Sequence, residues 1–253
     1  HAAVTGMFLW SYDTEKETSH LIPVPAHLTA ECPVYNDQNE YLYQKKQYIG
    51  DAYSTGGTTE TQRYQNVINS VSSLLYGVPV SGYVMIDMEQ IGDMNDLVGG
   101  ISLRVSEDLL AYDEGLSQGR QVTLTGDQAR IYLVERSPET DTVLAQETGL
   151  VERQMQYLGL YMDKLKATLL LPTSIKTALE DLRDDTDTDL GLPHFLFLSK
   201  TLILEGFGDD IVNLPCETAD SISGTDQETA GTDQTIVADE DALFEQVLDL
   251  FYN

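Results

Sequence analysis

The segment that decides the fold class is residues 60–105, ETQRYQNVINSVSSLLYGVPVSGYVMIDMEQIGDMNDLVGGISLRV. Apolar residues recur at helical spacing over Glu60–Tyr76, and Gly77 can end that helix. Val80–Ile86 and Ile101–Val105 are short apolar runs typical of strands, and the residues between them predict a second helix. Strands that alternate with helices predict an α/β fold, in which a central mixed β-sheet is flanked by helices.

The flanking sequence extends this pattern towards both ends of the chain. Met7–Tyr12 and Thr18–Val24 predict two strands joined by a turn, whereas Asn36–Gln47 is polar, rich in tyrosine and predicted to be irregular. Thr148–Lys166 predicts a long amphipathic helix, and Asp239–Tyr252 predicts a capped C-terminal helix. No repeat or linker divides the sequence, so we expect a single layered domain over residues 1–253.

The charge balance excludes two classes of partner. The 253 residues contain 14 Lys and Arg against 42 Asp and Glu, which gives a net charge of −28. Binding to nucleic acid requires cations that neutralise phosphates, so the sequence indicates no nucleic-acid function. The same reasoning excludes a protein that a basic patch holds to anionic lipid. A further interpretation of this charge, independent of any ligand, is adaptation to high salt.

Several common catalytic and metal-binding motifs do not occur in the sequence. It has no nucleophile elbow, no zinc-protease motif and no phosphate-binding P-loop. Asp185, Asp187 and Asp189 imitate the start of a calcium-binding loop, but Leu190 stands where that loop requires glycine. Cys32 and Cys216 match no zinc spacing, and both a single disulfide and two separate thiols remain open alternatives.

The N-terminus indicates a piece of a longer chain. The sequence opens with His1-Ala2-Ala3-Val4, without an initiator methionine or the cationic and apolar regions of a signal peptide. No apolar run approaches the roughly 20 residues that a membrane helix needs. We therefore expect a membrane anchor and a first strand to lie N-terminal to His1.

A family resemblance rests on the order of short motifs along the chain. In sequence order, these motifs are Ala52-Tyr53, Gly56-Gly57, Tyr83-Val84-Met85-Ile86-Asp87, Asp96-Leu97-Val98-Gly99-Gly100, Thr125-Gly126-Asp127-Gln128-Ala129 and Glu152-Arg153-Gln154. Their order and spacing resemble the LytR–CpsA–Psr family, and the resemblance covers nearly the whole chain. It implies an LCP-like α/β fold.

The resemblance also implies a function and a location. Members of the family transfer glycopolymers from a polyprenyl-pyrophosphate carrier to the cell wall. They are extracytoplasmic, membrane-anchored proteins of mainly Gram-positive bacteria. The implied partners are a polyprenyl phosphate or pyrophosphate lipid and a cell-wall glycan, and the implied cofactor is Mg²⁺. Such a site needs guanidinium groups for phosphate oxygens and carboxylates for Mg²⁺.

The family's site residues are kept in part. One family arginine after the Gly-Asp-Gln-Ala segment falls on Arg136, and a later one falls on Arg153; the resemblance implies that both are catalytic. Glu147 and Gln154 fall on substrate-binding positions of the next helix. Lys46 is a candidate to replace a cation that the chain has lost.

Other positions depart from the family pattern. Thr5 occupies the position of a metal-binding aspartate of the family, and Ala26 and His27 occupy the positions of the Arg-Asp pair of a loop. Val134 and Leu150 replace two further arginines. The expected ligands for Mg²⁺ are therefore degenerate, and three guanidinium groups are missing.

Two functional hypotheses follow from this mixture. In the first, the protein is an enzyme that uses Mg²⁺ to transfer a phosphoglycan from polyprenyl pyrophosphate. In the second, a catalytically degenerate site binds polyprenyl phosphate or a glycan without turnover. Arg136 and Arg153 favour the first hypothesis, and the substitutions at Ala26, Val134 and Leu150 favour the second.

Overall fold

The computed structural model describes residues 3–169, 186–191, 194, 197–198, 201, 210–220 and 234–252; Asp185 lies outside them. The strands within these residues are β1 (Met7–Asp13), β2 (Thr18–Val24), β3 (Thr29–Tyr35), β4 (Tyr41–Tyr48), β5 (Val84–Met85), β6 (Ser102–Arg104), β7 (Gln121–Thr123), β8 (Asp187–Thr188), β9 (Asp210–Ile211), β10 (Cys216–Asp220) and β11 (Gln234–Ala238). The helices are α1 (Glu60–Leu74), α2 (Gln90–Leu97), α3 (Gly126–Val134), α4 (Val143–Leu169) and α5 (Glu240–Phe251), and Ile49–Thr55 forms a 3₁₀ helix.

Strands β1 and β2 form the predicted hairpin. They pair antiparallel from Met7 opposite Val24 to Asp13 opposite Thr18. The Asp13 carboxylate closes the turn, because its Oδ1 accepts hydrogen bonds from the backbone N–H groups of Glu15 and Lys16. Strand β9 adds to β2 in parallel, which makes the sheet mixed. The predicted α/β class is confirmed.

The irregular segment predicted over Asn36–Gln47 is wrong, because Tyr41–Tyr48 forms β4. Strand β4 pairs antiparallel with β3, and we call this pair the β3–β4 ribbon. The side chain of Asn36 builds the turn, accepting hydrogen bonds from the backbone N–H groups of Gln38 and Glu40. The first six residues of β4 are exposed, so the strand carries no alternation of apolar and polar residues from which to predict it.

Threonine side chains fix where α1 and α3 begin. At α1, Thr59 accepts from the backbone N–H of Gln62, and the Gln62 side chain accepts from the backbone N–H of Thr59. Thr125 and Gln128 form the same reciprocal pair at α3. Two of the donors that a helix leaves unpaired at its start are satisfied in this way. The helix predicted over Glu60–Tyr76 is confirmed as α1.

Two apolar clusters form the core, and α4 joins them. One contains Ile22, Leu28, Val67, Val71, Ile236 and Leu243, with Val143 and Leu144 of α4 packed against it. The other contains Ile101, Leu103, Leu124, Tyr132 and, from the later turns of α4, Tyr157, Tyr161 and Met162. The turns of α4 between these contacts carry Glu147 and Arg153, so the predicted site lies where the two clusters meet.

The two cysteines are separate thiols and do not form a disulfide. Cys32 is buried and Cys216 half-buried, and both thiols are free. Burial raises the pKa of Cys216 to about 11. Among the described helices, none has the length and apolar character required to span a bilayer.

Candidate functional site

An ion pair between Arg136 and Glu147 forms the centre of the site. Arg136 follows α3, and Glu147 lies on the second turn of α4. Both Nε and Nη2 of Arg136 contact Oε1 of Glu147, with Nε at 2.5 Å. The Glu147 side chain is buried, whereas a quarter of the Arg136 side chain is exposed. Nη1 of Arg136 is engaged by neither Glu147 nor His27. Partial exposure and this uncommitted nitrogen make Arg136 the group in the site that a ligand can reach.

His27 completes the group and has one favoured tautomer. Its Nδ1 lies 3.0 Å from Oε1 of Glu147, and its Nε2 lies 3.4 Å from Nη2 of Arg136. A carboxylate only accepts and a guanidinium only donates hydrogen bonds. We therefore assign the proton of neutral His27 to Nδ1, which leaves the lone pair of Nε2 facing Arg136. We call Arg136, Glu147 and His27 the Arg136 cluster.

The electrostatics of the cluster keep Glu147 ionised. Burial by itself raises the pKa of Glu147, because a charged carboxylate loses its hydration. The hydrogen bond from His27 and the charge of Arg136 outweigh this effect and hold the pKa below its ordinary value of 4.5. The carboxylate therefore neutralises part of the charge that Arg136 presents.

This shift predicts a specific acid sensitivity. Because the pKa of Glu147 is lower in the folded protein than in the unfolded chain, Glu147 stabilises the fold above pH 4.5, and this stability is lost as the pH falls through the folded-state pKa. The difference in unfolding free energy between the wild type and Glu147→Gln should therefore be largest near neutral pH and shrink below pH 4.5. Urea unfolding over a pH series measures it.

The matched control is Glu152→Gln, which removes an exposed carboxylate from the same helix. We expect no comparable pH-dependent difference for this variant. A difference for Glu147→Gln that is constant across the whole pH range would contradict the assignment.

Arg153 has a structural position rather than a ligand-facing one. Its side chain has 0% exposure. Nε donates to Oε2 of Glu107 at 2.8 Å, while Nη1 and Nη2 donate to the backbone carbonyls of Tyr132 and Glu135. These bonds fix the last turn of α3 and the residue after it against α4. Gly149 makes room for this contact, since a Cβ there would lie 2.1 Å from Oε1 of Glu107.

Gln154 holds the start of the chain against the same junction. Its Nε2 donates to the carbonyl of Leu133 at 2.8 Å and, more weakly, to that of Thr5 at 3.4 Å. A Cβ at Gly6 would lie 2.8 Å from this amide nitrogen, so a larger residue there would displace the Gln154 side chain. Gln154 is buried, and its described bonds all go to the backbone.

The positions of the missing arginines are occupied by apolar packing. Leu150 and Ala26 are buried, and Val134 is half-buried. Each substitution therefore replaces a cation with a group that suits the core, and none leaves an unpaired charge.

Lys46 lies on the exposed part of β4, outside the Arg136 cluster. Tyr48, two residues later on the same strand, stacks on the His27 ring with centroids 4.7 Å apart and an interplanar angle of 29°. Side chains two residues apart point to the same face of a strand. Lys46 therefore shares a face with the ring that contacts the cluster.

The described residues do not offer a set of ligands that fits Mg²⁺. Within the segments that the structure describes, no group of three or more His, Cys, Asp or Glu side chains is placed to hold a metal ion. Glu147 already contacts Arg136 and His27, and Thr5 approaches the site through its backbone carbonyl. Mg²⁺ prefers several oxygen ligands in octahedral geometry.

The fold and the Arg136 cluster together define an α/β protein with a partly exposed arginine at the junction of its two cores. The LytR_cpsA_psr family model matches residues 7–235. The chain therefore belongs to the LytR–CpsA–Psr family, and it resembles the cell-envelope phosphotransferases that move glycopolymers from polyprenyl carriers. Domains of this family are extracytoplasmic.

Solved structures show the same fold at low sequence identity. TagV of B. subtilis is 17% identical with a TM-score of 0.69, and the match covers 98% of this chain and 89% of that one. The protein gbs0355 of Streptococcus agalactiae is 17% identical with a TM-score of 0.72, over 98% and 81% of the two chains. A protein described as a transcriptional regulator, EF0465 of Enterococcus faecalis, is 18% identical with a TM-score of 0.68, over 97% and 80%. A comparison with curated proteins gave no match.

The structure brings some of the predicted site residues together and separates others. Arg136 and Glu147 are in direct contact, whereas Arg153 and Gln154 make the buried bonds described above. Sequence reasoning missed His27 as a member of the cluster. The sequence marks His27 as unusual, because it occupies a family aspartate position. Its contact with Glu147 could not be foreseen, since the two residues are 120 positions apart.

Proposed function

We propose that the protein binds the phosphate of a polyprenyl-linked glycopolymer at the Arg136 cluster and does not transfer the glycopolymer. The observation that carries this proposal is the burial of Arg153. Its Nε, Nη1 and Nη2 donate within the protein, so of the two retained arginines only Arg136 has an exposed edge for phosphate. The loss of cations at Ala26, Val134 and Leu150 supports the same conclusion.

The cluster suits recognition of a phosphate better than phosphoryl transfer. Catalysis of that transfer relies on several positive charges that neutralise the developing transition-state charge. Arg136 supplies one such charge, and Glu147 opposes it at hydrogen-bond distance. A phosphate oxygen can still accept from Nη1, since guanidinium groups are well matched to phosphate. We expect binding that weakens with salt and does not depend on a divalent ion.

A second candidate function is transfer without a metal, and the contact between His27 and Glu147 favours it. A carboxylate that holds Nδ1–H of a histidine leaves Nε2 with a lone pair, which is the arrangement of a general base. In this alternative, Nε2 of His27 would leave Nη2 of Arg136 and accept the proton of a sugar hydroxyl. The hydroxyl oxygen would attack the glycan-linked phosphorus held by Arg136, and the bridging P–O bond of the pyrophosphate would break to release prenyl phosphate. The alternative predicts that turnover continues in the presence of a chelator, whereas the binding proposal predicts no turnover under any condition.

The experiment that tests binding is a calorimetric titration with farnesyl phosphate, a short prenyl phosphate, against farnesol as the matched lipid without phosphate. We expect saturable binding of farnesyl phosphate, binding of farnesol at least about tenfold weaker, and no change of either in EDTA. Equal binding of the two lipids, or binding that requires Mg²⁺, would contradict the proposal.

For the setting of this activity, we propose the bacterial cell surface and an N-terminal membrane helix that precedes the domain. Family membership supports the extracytoplasmic site, and the polyprenyl ligand requires proximity to a bilayer. Gram-positive origin belongs to the same proposal. A role in transcription, as described for EF0465, has little physical support here, because a net charge of −28 repels nucleic acid.

A further inference from the structure

A bulge in the β3–β4 ribbon places one exposed tyrosine on the same face as the Arg136 cluster. Directly opposite residues share a face of an antiparallel pair. One face of the ribbon therefore carries alternate residues of β3, namely Thr29, Glu31, Pro33 and Tyr35. Their β4 partners lie on that same face and are, in the same order, Tyr48, Lys46, Gln44 and Tyr41. Leu42 is the extra residue of the bulge, so Tyr43 points to the other face, opposite Val34. We call Tyr41, Gln44, Lys46 and Tyr48 the Tyr48 face.

The Tyr48 face is continuous with the proposed phosphate site. At one end, the Tyr48 ring stacks on His27, whose Nε2 lies 3.4 Å from Arg136. At the other end, Tyr41 packs edge-on against Tyr35, with ring centroids 6.1 Å apart. At the rise of an extended strand, the face runs about 20 Å from Tyr48 to Tyr41. It is long enough to contact several sugar rings in sequence.

The side chains on this face have the chemistry that recognises sugars. Tyr41 is 55% exposed, and Gln44 and Lys46 are also exposed. A tyrosine ring offers an apolar surface for the C–H face of a pyranose, and its hydroxyl can bond to the sugar's hydroxyl groups. Gln44 both donates and accepts hydrogen bonds, and Lys46 donates them.

Charge indicates which kind of glycan fits. Lys46 is directly opposite Glu31, which is exposed as well, so the two charges offset each other on the same face. A polyanionic chain would gain little attraction from such a pair. The face is better matched to an uncharged chain of pyranose rings with hydroxyl and amide groups.

We propose that the Tyr48 face is a glycan subsite, on which the sugars next to the phosphate held by Arg136 lie along β4. This inference rests on the proposed function, because it assigns the glycan part of the same ligand. Stacking on Tyr41 and hydrogen bonds from Gln44 and Lys46 hold the chain. The Tyr48 face has two other conceivable occupants, a strand that pairs with β4 and a second copy of the protein. Exposed lysines on a strand disfavour both.

The test is a titration with a soluble tetramer of N-acetylglucosamine, comparing Tyr41→Ala with Tyr43→Ala. Tyr43 is the matched control, because it is 53% exposed on the same strand but lies on the opposite face. We expect Tyr41→Ala to weaken binding of the tetramer about fivefold or more, and Tyr43→Ala to change it less than twofold. Circular dichroism confirms that both variants are folded.

Three results would overturn the subsite. They are no binding of the tetramer to the wild type, equal weakening by both tyrosine variants, and a self-association, seen by sedimentation, that Tyr41→Ala removes. Farnesyl phosphate binding by the wild type separates this failure from failure of the proposed function. If the wild type binds farnesyl phosphate but does not bind the tetramer, the subsite alone is overturned. If the wild type does not bind farnesyl phosphate, the phosphate site is overturned.

Discussion

Replacing Arg136 with alanine is expected to weaken the binding of farnesyl phosphate by about 10- to 100-fold, since a hydrogen bond to a charged group contributes about 1.5–3 kcal/mol. Arg136 is the retained arginine with a partly exposed side chain, and no phosphate-facing role is available to the buried Arg153. The variant also leaves Glu147 with His27 as its remaining partner, which adds repulsion for an anionic ligand. Calorimetric titration of wild type and variant measures the ratio of dissociation constants.

Two further variants make this result specific. Arg130→Ala removes an exposed arginine that pairs with Asp127 on α3, and it should leave the affinity for farnesyl phosphate unchanged. Arg136→Lys keeps the charge but loses the planar fork, so we expect intermediate affinity. If Arg136→Ala and Arg130→Ala had equal effects, the measured binding would reflect overall charge rather than this site.

Replacing Arg153 with methionine is expected to destabilise the fold by about 3–5 kcal/mol, because it leaves Glu107 without its partner and two carbonyls without donors. That loss is a large fraction of the stability of a typical domain. It should lower the thermal midpoint by about 6–20 °C, as expected for a chain of this size. Thermal and guanidinium unfolding measure it.

The control for this prediction is Arg130→Met, which breaks an exposed ion pair on α3. Such pairs contribute at most about 1 kcal/mol, so the variant should stay close to the wild type. If Arg153→Met were as stable as the wild type but failed to bind farnesyl phosphate, Arg153 would contact the ligand and the structural assignment would be wrong.

Much of the fold follows from short-range patterns in the sequence. The hairpin at Met7–Asp13 and Thr18–Val24, the start of α1 at Thr59 and the long helix α4 depend on apolar spacing and on local capping residues. Strand β4 could not be predicted in this way. Its exposed residues carry no apolar period, and pairing with β3 and the Asn36 turn determine its structure.

The candidate site was predictable only where the family pattern names a residue. Arg136 and Glu147 were named by position, and the structure places them in direct contact, while their role in ligand binding stays a prediction. The role of Arg153 was not predictable, because the same residue type in the same position can face a ligand or a pair of backbone carbonyls. Burial decides between these cases, and burial depends on how α3 packs against α4.

The fate of a bound donor distinguishes binding without transfer from catalysis. The protein is incubated with a saccharide linked to a short prenyl pyrophosphate, with Mg²⁺ and a sugar acceptor, and ³¹P spectra follow the pyrophosphate. We expect the wild type to bind the donor, and we expect its pyrophosphate to stay intact with both the wild type and Arg136→Ala. Release of prenyl phosphate by the wild type, abolished in Arg136→Ala, would contradict binding without transfer. Persistence of that release in EDTA would assign it to His27.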